Sequence, residues 1–401
     1  MKILHCADLH FTNKPQLLAD IQKCCTVITN PGTLEAIDLI VIAGDLFDEG
    51  VQLGSPASLA AMDFVYRCGQ IAPVVIIRGT SSHDAEGSIN ILSKLKTYYP
   101  VYATDRPEQI ALDETGFHQD ITPLPGVEVI ISCLPSLTKA NLMAYASGST
   151  SETTREAVDL MRDMFQGWGV VTTHARAAGI PTILVGHGTV TGSELSTGQV
   201  MTGRDLEWST GDLKLAKADL YCLGHIHKIQ SWENIYYSGS ITRLNYGETE
   251  KKGFFIHEIE NLDMGINHTD SRFVETPARS MRTKRPEGLP GIEIVADMQA
   301  GDSIRIIYEV AEADIGKVDE QAIIEAALAR GAVDVKIEKI IIPTVRVRAE
   351  GISRETSLSA KLDKWAETTG FENPENLYGK LADLQVREVE QVLEDYKGVQ
   401  V

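Results

Sequence analysis

Residues 38–48 read DLIVIAGDLFD. Leu39–Ala43 is an unbroken apolar run of strand length, and it stops at Gly44 and two acidic residues, Asp45 and Asp48. A strand running straight into polar chemistry recurs along the chain. MKILHCADLH (1–10) leads to Asp8 and His10, and VVIIRGTSSHD (74–84) leads to Ser82, His83 and Asp84. TILVGH (182–187) leads to His187, and DLYCLGHIH (219–227) leads to His225 and His227. Val127–Cys133 is a further strand candidate. Between these runs lie helical patterns near 16–29, 56–70, 88–97, 137–147 and 152–177. Alternating strands and helices predict an α/β fold. Beyond residue 227 the strand candidates Lys228–Trp232, Ile235–Ser238 and Phe254–Ile259 follow one another, which predicts a more antiparallel portion.

The composition sets outer bounds. The chain has 401 residues with 37 basic against 56 acidic side chains, a net charge of −19. At about 150 residues per domain that length predicts two or three domains. An apolar share of 43% excludes wholesale disorder. No run approaches the roughly 18 apolar residues of a membrane span, and the N-terminus lacks the long apolar core of a secretory signal, so a cytoplasmic protein without membrane contact is expected. The six cysteines, Cys6, Cys24, Cys25, Cys68, Cys133 and Cys222, form no CxxC pair and are expected to be reduced. The acidity argues against gripping nucleic acid with a broadly basic surface, so any action on DNA needs positive charge supplied locally.

Residues 276–292, TPARSMRTKRPEGLPGI, are rich in Pro, Gly and basic side chains and are expected to link two domains. Arg279, Arg282, Lys284 and Arg285 read as a solvated linker, with nucleic-acid contact as the alternative. The predicted organisation is a catalytic domain over 1–275, the linker over 276–292, a small α/β unit over 293–350 and a helical tail over 351–401. In the small unit Ile304–Val310 alternates as a strand, Asp319–Arg330 is amphipathic, and residues 333–338 alternate again. In the tail Leu358, Leu362 and Trp365 share a helical face that Gly370 ends, and Asn373–Pro374 opens a second helix. Ala382, Val386, Val389, Leu393 and Tyr396 form a stripe that docks on its own domain or on a partner.

In open α/β sheets, ligands bind beyond the carboxyl ends of strands, so the five polar clusters can converge on one pocket. Asp8, His10, Asp45, His187, His225 and His227 combine carboxylate and imidazole donors, which suits Mn, Fe or Zn better than a pure Mg site. They are too many for one ion. Two divalent ions about 3.5–4 Å apart, bridged by one carboxylate, use them economically, and such a pair activates water and holds a phosphate. Asp-x-His, Gly-Asp-x-x-Asp and His187 each have a commoner structural explanation when taken alone; Gly-His-x-His is the stronger signal, since alternation points both imidazoles to one side, and five clusters in order at strand ends are hard to dismiss together. His5, His118, His174, His257 and His268 belong to no cluster and are left structural or exposed.

The ordered set D-x-H, GD-x-x-D, H-D, GH and GHIH resembles the calcineurin-like metallophosphoesterase superfamily, and within it the SbcD nuclease family. ILHCADLHF, GDLFD and the block YYSGSITRLNYGETEKKGFFIHEI carry the closer likeness. The resemblance implies a two-sheet sandwich flanked by helices, a small α/β capping domain and a helical tail that binds an SMC-like ATPase subunit of the SbcC type. It implies that Asp8, His10 and His227 bind one metal, that Asp45 bridges, and that His187 and His225 bind the second. His83 would assist the leaving oxygen and Asp84 would orient His83. Asp48 would act near the substrate or support His10, while Ser240 and Arg243 would line the phosphate path. The implied activity is that of a Mn-dependent 3′-to-5′ exonuclease on duplex DNA and endonuclease on single strands or hairpins, working as a homodimer in DNA repair and recombination.

One motif departs from the pattern. Where the superfamily reads Gly-Asn-His-Asp, residues 79–84 read GTSSHD, so Ser82 stands at the position of the metal-binding Asn. A serine hydroxyl is a shorter and weaker ligand, which predicts a second metal held more loosely than the first. Two rival readings follow: a stand-alone phosphoesterase acting on nucleotides or phosphoproteins, and a catalytically degenerate interaction scaffold.

Overall fold

A computed structural model of the chain describes residues 1–30, 36–121, 125–138, 154–196, 207–261, 267–343, 351–371 and 375–386. It divides into two compact units. The first comprises Met1–Pro286, Pro290–Ile307 and Asp319–Glu338, and the second Glu287–Leu289, Tyr308–Val318 and Lys339–Val401.

Two mixed sheets form the body of the first unit. The six-stranded sheet runs in the order Asn267–Glu275, Gly253–Asn261, Lys2–Cys6, Leu39–Ile42, Val74–Ile77, Val101–Thr104. Its last four strands are parallel, and Gly253–Asn261 is antiparallel to both neighbours. The seven-stranded sheet runs Gln230–Trp232, Ile235–Tyr237, Leu220–Gly224, Thr182–His187, Val129–Leu134, Glu108–Asp113, Gly116–His118, with the middle strands from Ile235–Tyr237 to Val129–Leu134 parallel.

Period-two alternation decides which side chains go where. Ile3, Leu39, Val41, Val75 and Ile77 point inward and meet Ile110, Ile131, Val185, Leu220 and Cys222 of the other sheet, forming the sandwich core. Leu4, Cys6, Ile40, Ile42, Val74 and Ile76 point outward and pack under the helices Pro15–Ile28 and Pro56–Cys68. Both helices start with Pro at the first turn, and the Ser55 side chain caps the second by accepting from Ser58 N. The helix Thr154–Ala177 covers the opposite flank through Met161, Phe165 and Trp168. All six cysteines are free and buried.

The sequence-predicted strands through residue 259 all form, with ends shifted by one or two residues. The pattern at 88–97 becomes a short 3-10 segment, Asn90–Lys94. The pattern at 137–147 lies outside the described residues from 139 onward. The proposed linker contains a strand: Met281–Lys284 pairs in parallel with Ser303–Ala311, which with Asp334–Ile342 makes a three-stranded sheet. Three of its four basic residues form ion pairs, Arg279 with Asp20 at 2.8 Å, Arg282 with Asp302 at 3.2 Å and Lys284 with Asp297. Turn-forming composition concealed a short strand whose side chains serve ion pairs.

In the second unit the helix Leu358–Thr369 is capped by Ser357 and stopped by Gly370 in the left-handed conformation, followed by Glu375–Val386. Asn373, Pro374 and the stripe beyond Val386 lie outside the described residues. Among the described residues no helix is long and apolar enough to cross a membrane.

Candidate metal centre

The five polar clusters stand at the carboxyl ends of Lys2–Cys6, Leu39–Ile42, Val74–Ile77, Thr182–His187 and Leu220–Gly224. The loops leaving these strands turn sharply. Asp8, His10, Asp45 and His225 all have positive φ, between 48° and 98°. Non-glycine residues avoid that region, and four of them at one site mark stored backbone strain. Glycine makes the close approach possible at Gly79, where an added Cβ would lie 2.1 Å from Asp45 N and Oδ1.

Two sets of side chains meet. Asp8, His10 and His227 bring donor atoms within 4.8 Å of one another, and so do Asp45, His187 and His225. Asp45 faces both sets: its Oδ1 lies 3.3 Å from His187 Nε2 and its Oδ2 lies 3.9 Å from His10 Nε2. His10 Nε2 and His227 Nε2 are 3.1 Å apart. Asp8 accepts from His225 N at 2.9 Å, tying the two sets through the backbone.

The donor chemistry calls for cations. His187 Nδ1 lies 2.8 Å from the Ala43 carbonyl, which only accepts, so Nδ1 carries the proton and the neutral ring turns a bare Nε2 toward the Asp45 carboxylate. Two acceptors facing each other at 3.3 Å need a proton or a metal between them. The same arrangement recurs at His227, whose Nδ1 lies 3.1 Å from Glu248 Oε1 and whose Nε2 faces His10. His225 Nε2 is buried without a hydrogen-bond partner. The residues fit a pair of divalent ions, with Asp8, His10 and His227 on one side, His187 and His225 on the other, and Asp45 between.

Titration follows the same logic. Burial pushes the Asp8 carboxyl up to about 6 against the pull of His187 and His227. Burial acts likewise on Asp45, but His187, His10 and the Thr80 hydroxyl overcome it and hold that carboxyl well below the usual range. Burial would lower His187, yet Asp45 raises it to about 9, the direction expected of a nitrogen that faces a carboxylate and needs a cation between them. Burial takes His10 down to about 3 and His225 to about 4.

The remaining expected residues fall differently. His83 joins the site: its ring centroid is 4.7 Å from that of His10, and its Nδ1 lies 2.5 Å from the Asp48 carbonyl. Asp84 does not orient it. That carboxylate is buried and accepts from Gly79 N at 2.8 Å, Phe47 N at 3.0 Å and Leu46 N at 3.3 Å, pinning the second and third loops together. Asp48 Oδ1 is 3.9 Å from His10 Nδ1, too far for a hydrogen bond, and Oδ2 pairs with Lys14 at 3.0 Å. Ser82 is exposed in the turn after Thr80. The hydroxyl that reaches the centre is Thr80, whose Oγ1 and N both donate to Asp45 Oδ1 at 2.7 Å. In this turn Thr80, rather than Ser82, supplies the hydroxyl that contacts a residue of the centre.

Ser240 and Arg243 do not line an open phosphate path. Ser240 is fully buried and donates to the Thr242 carbonyl. Arg243 spends its guanidinium on the carbonyls of Glu248, Glu250, Ala278 and Arg279. Sequence reading missed Thr80, Glu248 and Lys252; the last two stand i, i+4 in the GETEKKG stretch, a spacing that carries a signal only in a helix.

Comparison with known proteins agrees with this geometry. The calcineurin-like phosphoesterase profile matches residues 1–229, more than half of the chain. The chain belongs to the calcineurin-like phosphoesterase family. It is similar to the SbcD component of the SbcCD nuclease of Staphylococcus epidermidis, 28% identical over 276 residues, 67% of this chain and 68% of that protein. It is also similar to the same component in Staphylococcus saprophyticus, 26% identical over 268 residues, covering 65% and 66%. The Escherichia coli K12 protein of the same name is 25% identical over 296 residues, covering 66% and 69%. The family and the donor set together make this a metal-dependent phosphoesterase.

Proposed function

We propose that the chain is a DNA phosphodiesterase, the nuclease component of an SbcCD-like repair complex that works with an SbcC-type ATPase. The observation that carries the reading is Asp45 standing between Asp8, His10 and His227 on one side and His187 and His225 on the other, with His83 beside them. The relatives named as nuclease components supply the substrate class. Bound there, two divalent ions, with manganese favoured by the mixed nitrogen and oxygen donors, would supply Lewis-acid activation of water and stabilise charge on the phosphoryl group.

The chain's own residues do the rest. Asp8, His10, Asp45, His187, His225 and His227 set the position of the charge. Thr80 holds Asp45 in one rotamer by two donors to the same oxygen. His83 Nδ1 donates to a carbonyl, so Nε2 is the atom turned to the substrate; with the ring in its imidazolium form it carries the second proton and would pass it to the departing 3′ oxygen, leaving the neutral ring. Asp84 keeps the loops that carry Asp45 and His83 in register. Residues 1–275 then form the catalytic domain, 293–350 a cap over DNA, and 351–401 the ATPase-binding tail, in a homodimer.

Cleavage of end-labelled linear duplex DNA by the purified chain, with Mn2+, with Mg2+ and with chelator, tests the proposal. Release of label with Mn2+ alone, and its loss in His83→Ala, is the expected result. Intact duplex and hairpin DNA in the presence of both metal and ATPase partner would reject it. Hydrolysis of nucleotides or phosphopeptides in its place would favour the stand-alone phosphoesterase.

A further inference from the structure

The loop between the strands Ile235–Tyr237 and Gly253–Asn261 buries two opposite charges behind the metal centre. Glu248 and Lys252 side chains are both 0% exposed and their charged atoms are 2.8 Å apart. Removing such charges from water is costly, and a well-packed apolar pair would often serve stability as well. The contacts suggest what the pair is for. Glu248 Oε1 faces His227 Nδ1 at 3.1 Å and accepts from Asn245 Nδ2 at 2.7 Å, while Oε2 accepts from Leu244 N at 3.1 Å. Lys252 Nζ donates to the backbone carbonyl of the same histidine at 3.0 Å, to Ser240 Oγ at 2.9 Å and to Glu250 at 2.7 Å. Ring and backbone of His227 are therefore gripped by the two halves of one ion pair.

We propose that Glu248 and Lys252 are positioning residues for the Asp8–His10–His227 metal site, holding His227 with Nε2 turned to the ion. The inference rests on the reading of those three residues as metal ligands. A carboxylate can only accept, so it keeps the proton on Nδ1 and leaves Nε2 free to coordinate. Lys252 neutralises the carboxylate and anchors the peptide that carries the ring. The pair acts on one of the two donor sets: its hydrogen bonds and ion pairs reach His227 and, among the described residues, not His187, His225 or Asp45.

Calorimetric titration of the full metal-free chain with Mn2+ tests this, comparing the unaltered protein with Glu248→Gln and Lys252→Met. Loss of an outer partner of this kind weakens metal binding by about 10- to 100-fold. The expected result is that loss at one of two sites, with the other within about 3-fold and the metal-free melting temperature of at least one variant close to that of the unaltered chain. Equal weakening at both sites, or none, would overturn the proposal. A second measurement needs no variant: in Zn2+-loaded protein with 15N-labelled histidine, His227 shows its one-bond proton at Nδ1, and a proton at Nε2 would overturn it. Neither readout uses DNA. A chain that binds two ions in this way and cleaves no DNA sinks the nuclease reading and leaves this inference standing; a chain that binds none at Asp8, His10 and His227 sinks it.

Discussion

His5 and His257 lie inside the sandwich, away from both donor sets, and their burial has a measurable cost in acid. His5 Nε2 is 3.2 Å from the Leu223 carbonyl, His5 Nδ1 is 3.3 Å from His257 Nε2, and His257 Nδ1 is 2.7 Å from Ser271 Oγ. One assignment satisfies every atom: His5 donates to Leu223, His257 donates to His5, and Ser271 donates to His257. Both rings are neutral in it, and a second proton has nowhere to go. Burial takes His5 from 6.5 down to about 3, and it takes His257 well below its usual value. Because the folded value is depressed, the unfolded chain binds more protons between pH 3 and 6.5. The contribution of His5 to stability is therefore complete above pH 6.5 and is lost as pH falls toward about 3. At 1.36 kcal/mol per unit, His5 alone costs about 2 kcal/mol at pH 5 relative to pH 8. The perturbation is His5→Gln, whose amide can still donate to Leu223. The assay is urea unfolding of both proteins at pH 8 and pH 5 in chelator, where the ligand carboxylates and histidines titrate alike and cancel in the difference. The unaltered chain loses about 2 kcal/mol more than the variant over that interval. Equal losses, within about 0.5 kcal/mol, would refute the assignment of a buried neutral His5.

Three further predictions concern the loops of the centre. Gly79→Ala places a methyl against the Asp45 backbone and carboxylate, so it lowers bound Mn2+ below two equivalents by elemental analysis and costs more than about 3 kcal/mol in unfolding. Asp84→Ala strands three buried backbone donors and destabilises the first unit by about 3 kcal/mol or more, read as a fall in melting temperature without metal. Arg243→Lys gives up most of four carbonyl contacts and costs about 2 kcal/mol of stability, while KM for DNA stays within about twofold; a large rise in KM would restore Arg243 to the phosphate path.

What could be read from the chain, and what could not, separates along physical lines. Apolar runs ending in Gly or acidic residues mark parallel strands and the loops where chemistry collects, and those strands and loops form as expected. That six carboxylate and imidazole side chains would come together was legible because donor type is displayed directly by the sequence and each stands just past a strand end. Partners joined by tertiary contact were not. Asp84 looked like a partner for His83 because it is adjacent, yet adjacent side chains on a turn diverge, and it satisfies backbone amides instead. Ser82 was the position matched to the superfamily's Asn, yet the turn leaves it exposed and brings the Thr80 hydroxyl to Asp45. Glu248 and Lys252 sit in irregular chain with no period to betray burial. Met281–Lys284 is a strand in composition that reads as a linker, because short edge strands are held by pairing and ion pairs rather than by an apolar face.

The central claim is that two donor sets share Asp45. Anomalous scattering from crystals of the full chain grown with Mn2+ tests it most directly. Two peaks about 3.5–4 Å apart, one against Asp8, His10 and His227 and the other against His187 and His225 with Asp45 touching both, are the predicted result. A single peak, or peaks that leave Asp45 to one side, would contradict it.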